Sequence, residues 1–275
     1  MIWIDTARRA YLHQWGMQEN PIFAWDNIAA TAALSGTAVA TDGQRENAVD
    51  GSTSSRWRPS STGDATIIAL IPANTPISFL AIAAHSLDDA GAQVQWHYNT
   101  EATGGTWVAV TPTAADAVQG AMAWRFMPIT ARRWRLTVSS IDAANIATLG
   151  VFFVGNETIM PMRIYQGFAP RIVPTNVELQ SNVSDGGNLI GSAVARSGSM
   201  LELPFSIIRP DFVRGEFKGF MTHFNTGKGC FVAWRPEKYP DDLHYGWRDG
   251  AVIRPDNAGP KGYMSLTVKM RLHDG

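Results

Sequence analysis

The chain has 275 residues, 45% of them hydrophobic and 17% charged, and carries a net charge of −1 from 23 Lys+Arg against 24 Asp+Glu. That length suits two domains of ordinary size, each with a real core. The balanced charge, with no basic block, argues against nucleic acid as a partner, and the single cysteine, Cys230, excludes an internal disulfide and any CxxC metal or redox site.

So few charges, against roughly 25% in an average soluble domain, predict that some surface is buried in an assembly. The ten tryptophans point the same way, because tryptophan favours cores and interfaces. The opening MIWIDTARRAYLH has no apolar stretch of the kind a secretory signal needs. The longest nearly apolar run, Ile77–Ala84, is far too short to span a membrane.

Residues 1–25 read as an N-terminal arm. Trp3, Tyr11, Trp15, Phe23 and Trp25 are too many aromatics for a free tail, so the arm is expected to pack on a neighbouring domain or subunit. Next comes the stretch ENAVDGSTSSRWRP, Glu46–Pro59. Asp50-Gly51 is a strong turn signal, because glycine reaches φ > 0 without a Cβ clash. The hydroxyls of Ser52, Thr53, Ser54 and Ser55 can satisfy loop backbone groups. Trp57 then pins a tight structural corner formed with Asp50 and Gly51.

Short β-like runs follow at close spacing: Ala65–Ile71, Ile77–Ala84, Gln93–Tyr98, Thr106–Val110, Ala121–Phe126, Arg133–Val138 and Ala147–Val154. Turn signals that include Pro112 and Pro128 separate them. This spacing predicts a sandwich or jelly roll.

In this context NAVDGSTSSRW resembles the N-x-x-D-G-x-x-x-S/T-x-W signature of discoidin-type, galactose-binding-like domains. The Arg133-Trp134-Arg135-Leu136 strand and the closing strand up to Gly155 are also similar to that family. The resemblance covers about residues 27–155, within a domain drawn at 26–155. It implies an eight-stranded jelly roll, and members that often bind sugars or lipid head groups through loops at one end. Many members hold a structural Ca²⁺ with an acidic residue in the last strand. Ile146–Val151 has no carboxylate, and calcium prefers 6–8 oxygens, so no metal is expected beside Asp50.

Residues 156–275 read as a second, β-rich unit with one helix. Met264, Leu266, Val268, Met270 and Leu272 alternate with polar residues in strict period two. Ser199–Ile208 reads as another strand. Pro210-Asp211 is expected to start the helix, with Asp211 as its N-cap. Phe217, Phe220, Met221 and Phe224 fall on one helical face, although Gly215 and Gly219 each cost about 1 kcal/mol against alanine. Gly229–Trp234 then returns to β. The passage Trp234-Arg235-Pro236, Tyr239–Asp242 and Tyr245-Gly246-Trp247, with the terminal strand, resembles distal-tail and minor-tail modules of long-tailed bacteriophages. That resemblance implies a structural protein of the virion, ring-forming and partnered with tube, hub and tape-measure proteins.

Signs of catalysis are scarce. The chain lacks GxSxG, HExxH and Walker A motifs, and Gly227-Lys228-Gly229 has neither the spacing nor the Ser/Thr of a phosphate loop. No i,i+4 histidine pair suggests zinc. Cys230 reads as a buried strand thiol. Asp241, Asp242, Asp249 and Asp256 could supply the paired carboxylates of glycoside hydrolysis, but Pro240, Gly246, Gly250 and Gly259 around them indicate a solvated loop. Trp96, His97, Tyr98, Trp107 and Trp124 could stack on sugars. Alternation sends Val94, Trp96 and Tyr98 to one face, the core, and His97 to the other. His85 sits where a strand gives way to the Asp88–Gly91 loop and is the first candidate for a loop-tip glycan contact, with His97 second. The sequence therefore predicts an all-β-dominated, non-enzymatic protein without cofactor or membrane span. Its expected role is as a structural component of a phage tail tip or baseplate, and the alternative is an adhesin for host-surface glycans.

Overall fold

The computed structural model describes residues 1–111, 114–139, 146–164, 168–170, 176–258 and 262–273. Pro112 and Gly259, read above as loop residues, lie outside them. The first 25 residues supply β1 (Ile2–Ile4), helix α1 (Thr6–Gln14) and β2 (Ile22–Ala24). Next come β3 (Ala33–Gly36), β4 (Ala65–Leu70), β5 (Pro76–His85), β6 (Gln93–Asn99), β7 (Val108–Ala109), β8 (Ala115–Asp116), β9 (Met122–Thr130), β10 (Arg133–Ser139) and β11 (Leu149–Gly155). The rest is β12 (Thr158–Ile159), β13 (Asn176–Val183), β14 (Leu189–Ile208), α2 (Pro210–Arg214), α3 (Glu216–Asn225), β15 (Cys230–Ala233), β16 (Leu243–Arg248), β17 (Asp256–Asn257) and β18 (Met264–Leu272). No helix among the described residues is long and apolar enough to cross a membrane.

The protein is mostly β-sheet, built in layers. A six-stranded sheet, β3-β4-β10-β6-β7 with β8 beside β6, faces a four-stranded sheet, β1-β9-β5-β11. Between them lies the sandwich core, including Trp57, Trp96, Trp124, Trp134, Leu136 and Phe152. Alternation decides which residues enter it. In β10, Trp134, Leu136 and Val138 are buried while Arg133, Arg135 and Thr137 face outward.

The four-stranded sheet is covered on its other face too. β5 and β11 are buried almost throughout, because a third layer packs there. This is the sheet β12-β2-β15-β16-β18-β14-β13, with β17 beside β18. Phe79 and Phe153 from the sandwich meet Phe231 of the third sheet at ring-centroid distances of 6.4 and 5.6 Å, and Phe231 in turn packs on Tyr245 at 5.0 Å. The sparse charge noted above is thus partly explained inside the chain, where one sheet is buried on both faces.

On the far side of the third sheet lie α2 and α3. Phe217, Phe220 and Phe224 are buried there against Phe23, Val232, Val268 and Met270, with Met221 packed at the edge. β15 shows the two-sided burial at single-residue resolution. Cys230 and Val232 face the helices, while Phe231 and Ala233 face the sandwich. Two expectations are corrected here. The N-cap is Arg209, without a side-chain bond, and Pro210 opens the helix, which puts Asp211 in the first turn. Gly215 divides the predicted single helix into α2 and α3.

The first 25 residues are woven into two sheets. β1 pairs in parallel with β9, and β2 lies between β12 and β15. Asp5 caps α1 by accepting from the Arg8 amide. Arg8 in turn reaches Glu157, whose side chain is fully buried. Glu157 Oε1 lies 2.8 Å from Arg8 Nη2, and its Oε2 lies 2.6 Å from Arg125 Nε.

Candidate functional site

A cleft of about 690 Å³ opens at the rim of the interface between the sandwich and the third sheet. Its size falls inside the roughly 300–1,000 Å³ of typical ligand sites. Val151 and Phe153 of β11 lie in its lining. One wall is the sandwich corner Val49–Thr53 with the turn at Asn27–Thr31. The other carries Trp25, His223, the Thr226–Gly229 loop, Tyr245 and Trp247.

The corner wall is rigid for reasons visible in its residue types. Gly51 has φ 80°. The Asp50 carboxylate accepts from the Ser52 amide at 2.7 Å and from the Ser55 hydroxyl at 2.6 Å. Trp57, fully buried, closes the corner by a bridge to Leu149 in which each amide donates to the other's carbonyl, at 2.8 and 3.0 Å. Asn27 fixes the adjoining turn to β11: its Oδ1 accepts from Ala29 and Val154, and its Nδ2 donates to the Phe152 carbonyl.

A hydrogen bond joins the two walls: the Tyr245 hydroxyl donates to the Gly51 carbonyl at 3.1 Å. Burial, with smaller contributions from Cys230 and Asp50, raises the Tyr245 pKa, so it stays a protonated donor at neutral pH. Gly229 makes room for it, since a Cβ there would overlap the Tyr245 hydroxyl. His223 Nε2 lies 2.9 Å from the Gly229 carbonyl. A carbonyl can only accept, so Nε2 carries the proton. Burial holds this histidine's pKa below its usual value, which keeps the ring neutral. Trp25 packs over His223 at 5.4 Å and donates to Thr158 Oγ1 at 3.2 Å.

What remains open in the cleft is chemically mixed. The Trp247 ring is half-buried and makes no aromatic or hydrogen-bond contact among the described residues. The Asp26 carboxylate and the Lys228 ammonium likewise have no hydrogen-bond or ion-pair partner there. The cleft therefore presents an apolar plane, an acceptor and a donor, with nearly balanced charge. Such a surface suits a neutral ligand with an apolar face and several hydroxyls. No cluster of three or more His, Cys, Asp or Glu able to hold a metal occurs among the described residues.

The residues singled out in the sequence fall in several places. Asp50 and Gly51 stand in the cleft wall, and Trp57 lies behind it. His85 is corrected as a loop-tip contact, because its side chain is fully enclosed. Burial lowers its pKa to about 4 against the pull of Asp88, 3.7 Å away, so it is neutral at physiological pH. His97 does point away from the core, onto the outer face of the six-stranded sheet opposite Arg135. Trp96 and Trp124 are core residues and Trp107 is not. Asp242 accepts from the Trp234 indole at 2.8 Å and Asp249 lies 3.4 Å from Arg271, so these carboxylates serve the local structure. Cys230 is buried in β15, and burial pushes its thiol pKa up, which makes it a poor nucleophile.

Trp25, Asp26, His223, Lys228 and Trp247 were not anticipated as site residues. The signal for Trp247 was present: Leu243, Tyr245 and Trp247 alternate along β16, and the last of them reaches the rim. Nothing local in the sequence announces that this rim meets Asp50.

No family model matches the chain, and no curated protein matches it. Among solved structures, part of the chain is similar to a GH29 fucosidase of Ruminococcus gnavus in complex with fucose. That match has TM-score 0.43 and 18% identity, and covers 48% of this chain and 27% of that one. It is also similar to chitosan-binding module 1 from a chitosanase/glucanase of Paenibacillus sp. IK-5, with TM-score 0.42, 17% identity and 47% and 98% of the two chains. A third match is a carbohydrate-binding module produced by Clostridium perfringens, with TM-score 0.39, 15% identity and 48% and 99% coverage. The chain thus spans about a quarter of the fucosidase and nearly all of the two modules.

Proposed function

We propose that the protein binds a glycan, without turnover, in the cleft between the sandwich corner and β16. The observation that supports this reading is that the Trp247 ring and the Asp26 and Lys228 side chains, none with a hydrogen-bond or ion-pair partner among the described residues, line one preformed cleft. An indole plane covers the apolar face of a sugar ring, while a carboxylate and an ammonium accept from and donate to its hydroxyls. Because Asn27, Asp50 and Tyr245 are already bonded within the walls, the cleft is ordered before any ligand arrives, and preorganisation of this kind lowers the entropic cost of binding.

A glycan array identifies the sugar, and calorimetry of wild type against Trp247→Ala tests the site. The variant is expected to bind at least about tenfold more weakly, ~1.4 kcal/mol, while still unfolding cooperatively, because the ring lies at the cleft rim rather than in the fully buried core. Absence of any glycan binding at millimolar concentration, or equal affinity in both proteins, removes the proposal.

A second reading, assembly into a larger particle such as a phage tail with tube and hub partners, is favoured by a different feature. Residues 189–198 of β14 pair only with β13 among the described residues, making a two-stranded ribbon that runs out of the third sheet. Ile190 on it is 72% exposed. Such a ribbon is marginal alone, and its free edge is a template for another strand. Light scattering after size-exclusion chromatography is expected to give a closed oligomer. Replacing Gln180–Ala193 by an Asn-Gly turn should return it to monomer. A wild-type monomer at tens of micromolar, indifferent to that deletion, counts against homo-oligomerisation through the ribbon.

A further inference from the structure

The outer face of the six-stranded sheet carries an arrangement that the cleft does not use. The Arg135 guanidinium lies 4.3 Å from the centre of the Trp107 ring, and that of Arg133 lies 4.9 Å from the same ring. Strand alternation fixes both outward on β10, and the pairing of β10 with β6 places His97 directly opposite Arg135. On the far side of His97 stands only the small Ala109.

The charge on this patch is not balanced. Arg133 donates to the Glu101 carbonyl at 2.9 Å and to the Gly104 carbonyl, neither of which neutralises it. Arg135 has no hydrogen bond or ion pair among the described residues, and its Nε is enclosed without an acceptor. The Nδ1 of His97 is enclosed without a partner as well. Burial and then the Arg133 charge lower the Arg135 pKa, and burial and then the Arg135 charge lower that of His97. Two like charges thus share one aromatic ring, with no carboxylate within ion-pair distance of either among the described residues.

We propose that Arg135, set over the Trp107 ring and flanked by Arg133 and His97, is a second binding site, one that takes a small oxyanion such as the carboxylate of a uronate or a sulfate group. A guanidinium stacked on an indole keeps its in-plane N–H groups free, and these match a carboxylate or sulfate edge two bonds at a time. Stacking also fixes the side chain in advance, so less rotamer entropy is lost when the anion docks. Arg133, Arg135 and His97 lie on strands, which holds their geometry, and Trp107 immediately precedes β7. An arriving anion would relieve the repulsion between the two arginines, a gain that a neutral sugar cannot provide. The site shares no residue with the cleft and stands or falls independently of it.

The test is titration of the full-length protein, followed at the Trp107 indole N–H by NMR, with sodium sulfate, sodium glucuronate and neutral glucose, at ionic strength held constant with chloride. Sulfate, glucuronate or both are expected to give saturating shifts in the millimolar range, and whichever saturates names the ligand class. Glucose should give none. Arg135→Gln should weaken the anion at least tenfold, and Arg135→Lys, which keeps the charge but loses the fork, should weaken it several-fold. Trp247→Ala should leave it unchanged. Shifts that fail to saturate, that are equal for glucose, or that survive in both Arg135 variants overturn the site.

Discussion

Glu157→Gln is expected to lower the stability of the protein by about 3–5 kcal/mol, the cost of breaking a buried ion pair from one side. The side chains of Glu157 and Arg125 are fully buried and that of Arg8 is 9% exposed. Glutamine keeps the shape but leaves two guanidinium groups in the interior with no counter-charge. For a chain of this size the loss corresponds to roughly 10 °C in melting temperature, measurable by calorimetry.

The pH dependence gives the same prediction a sign. Burial alone would raise the Glu157 pKa, but the charges and hydrogen bonds of Arg125 and Arg8 overcome it and hold the carboxyl below its usual range. A carboxyl depressed in the folded state stabilises it above the unfolded pKa, about 4.3, and that contribution is lost as pH falls through the folded value. The stability gap between wild type and Glu157→Gln is therefore expected to be full at pH 7 and to narrow below about pH 4. A gap of less than about 1 kcal/mol at neutral pH, or one independent of pH, rejects this account.

Trp57→Ala is expected to cost a similar amount, about 3–5 kcal/mol, as for other large-to-small changes at a fully buried aromatic. The side chain has no exposed surface, and a cavity there lies directly behind the Asp50–Ser55 wall. The indole Nε1 is buried without an acceptor among the described residues. Trp57→Phe leaves a smaller void and also removes that unsatisfied donor, so it should cost clearly less. Denaturant unfolding of the two variants separates packing from hydrogen bonding at this position. If phenylalanine proves as damaging as alanine, the packing account of this position is rejected.

Much of the fold was legible because alternation is a local signal. The seven strand runs read between Ala65 and Val154 each coincide with an observed strand within a few residues, since Trp134-Arg135-Leu136 or Val94-Gln95-Trp96 can satisfy a half-buried sheet in only one way. The phenylalanine face of α3 was readable for the same reason. Less legible was anything requiring two distant segments. β5 reads as an apolar run whether it is a deep sandwich strand or one buried on both faces, and only the meeting of Phe79 with Phe231 decides between them. His85 failed as a ligand contact because a strand-end position does not reveal whether a loop folds over it. The cleft was half legible: the Asp50 corner could be read as structure, but its opposite wall comes from about 200 residues later, at Tyr245.

The weaving of the first 25 residues has a consequence in time. Ile2 pairs with Ala123, and Ile22 with Ala233, so these early residues wait for partners made one hundred and two hundred positions later. Loop closures of that length slow folding even when the end state is stable. The third sheet cannot close until β15, β16 and β18 exist, and until then β5 and β11 expose one apolar face. During synthesis the sandwich would thus stand for many seconds, at 5–20 residues per second, with its second face unprotected. A holding partner, or fast completion of the chain, matters more for this molecule than for one whose sheets each close on their own residues.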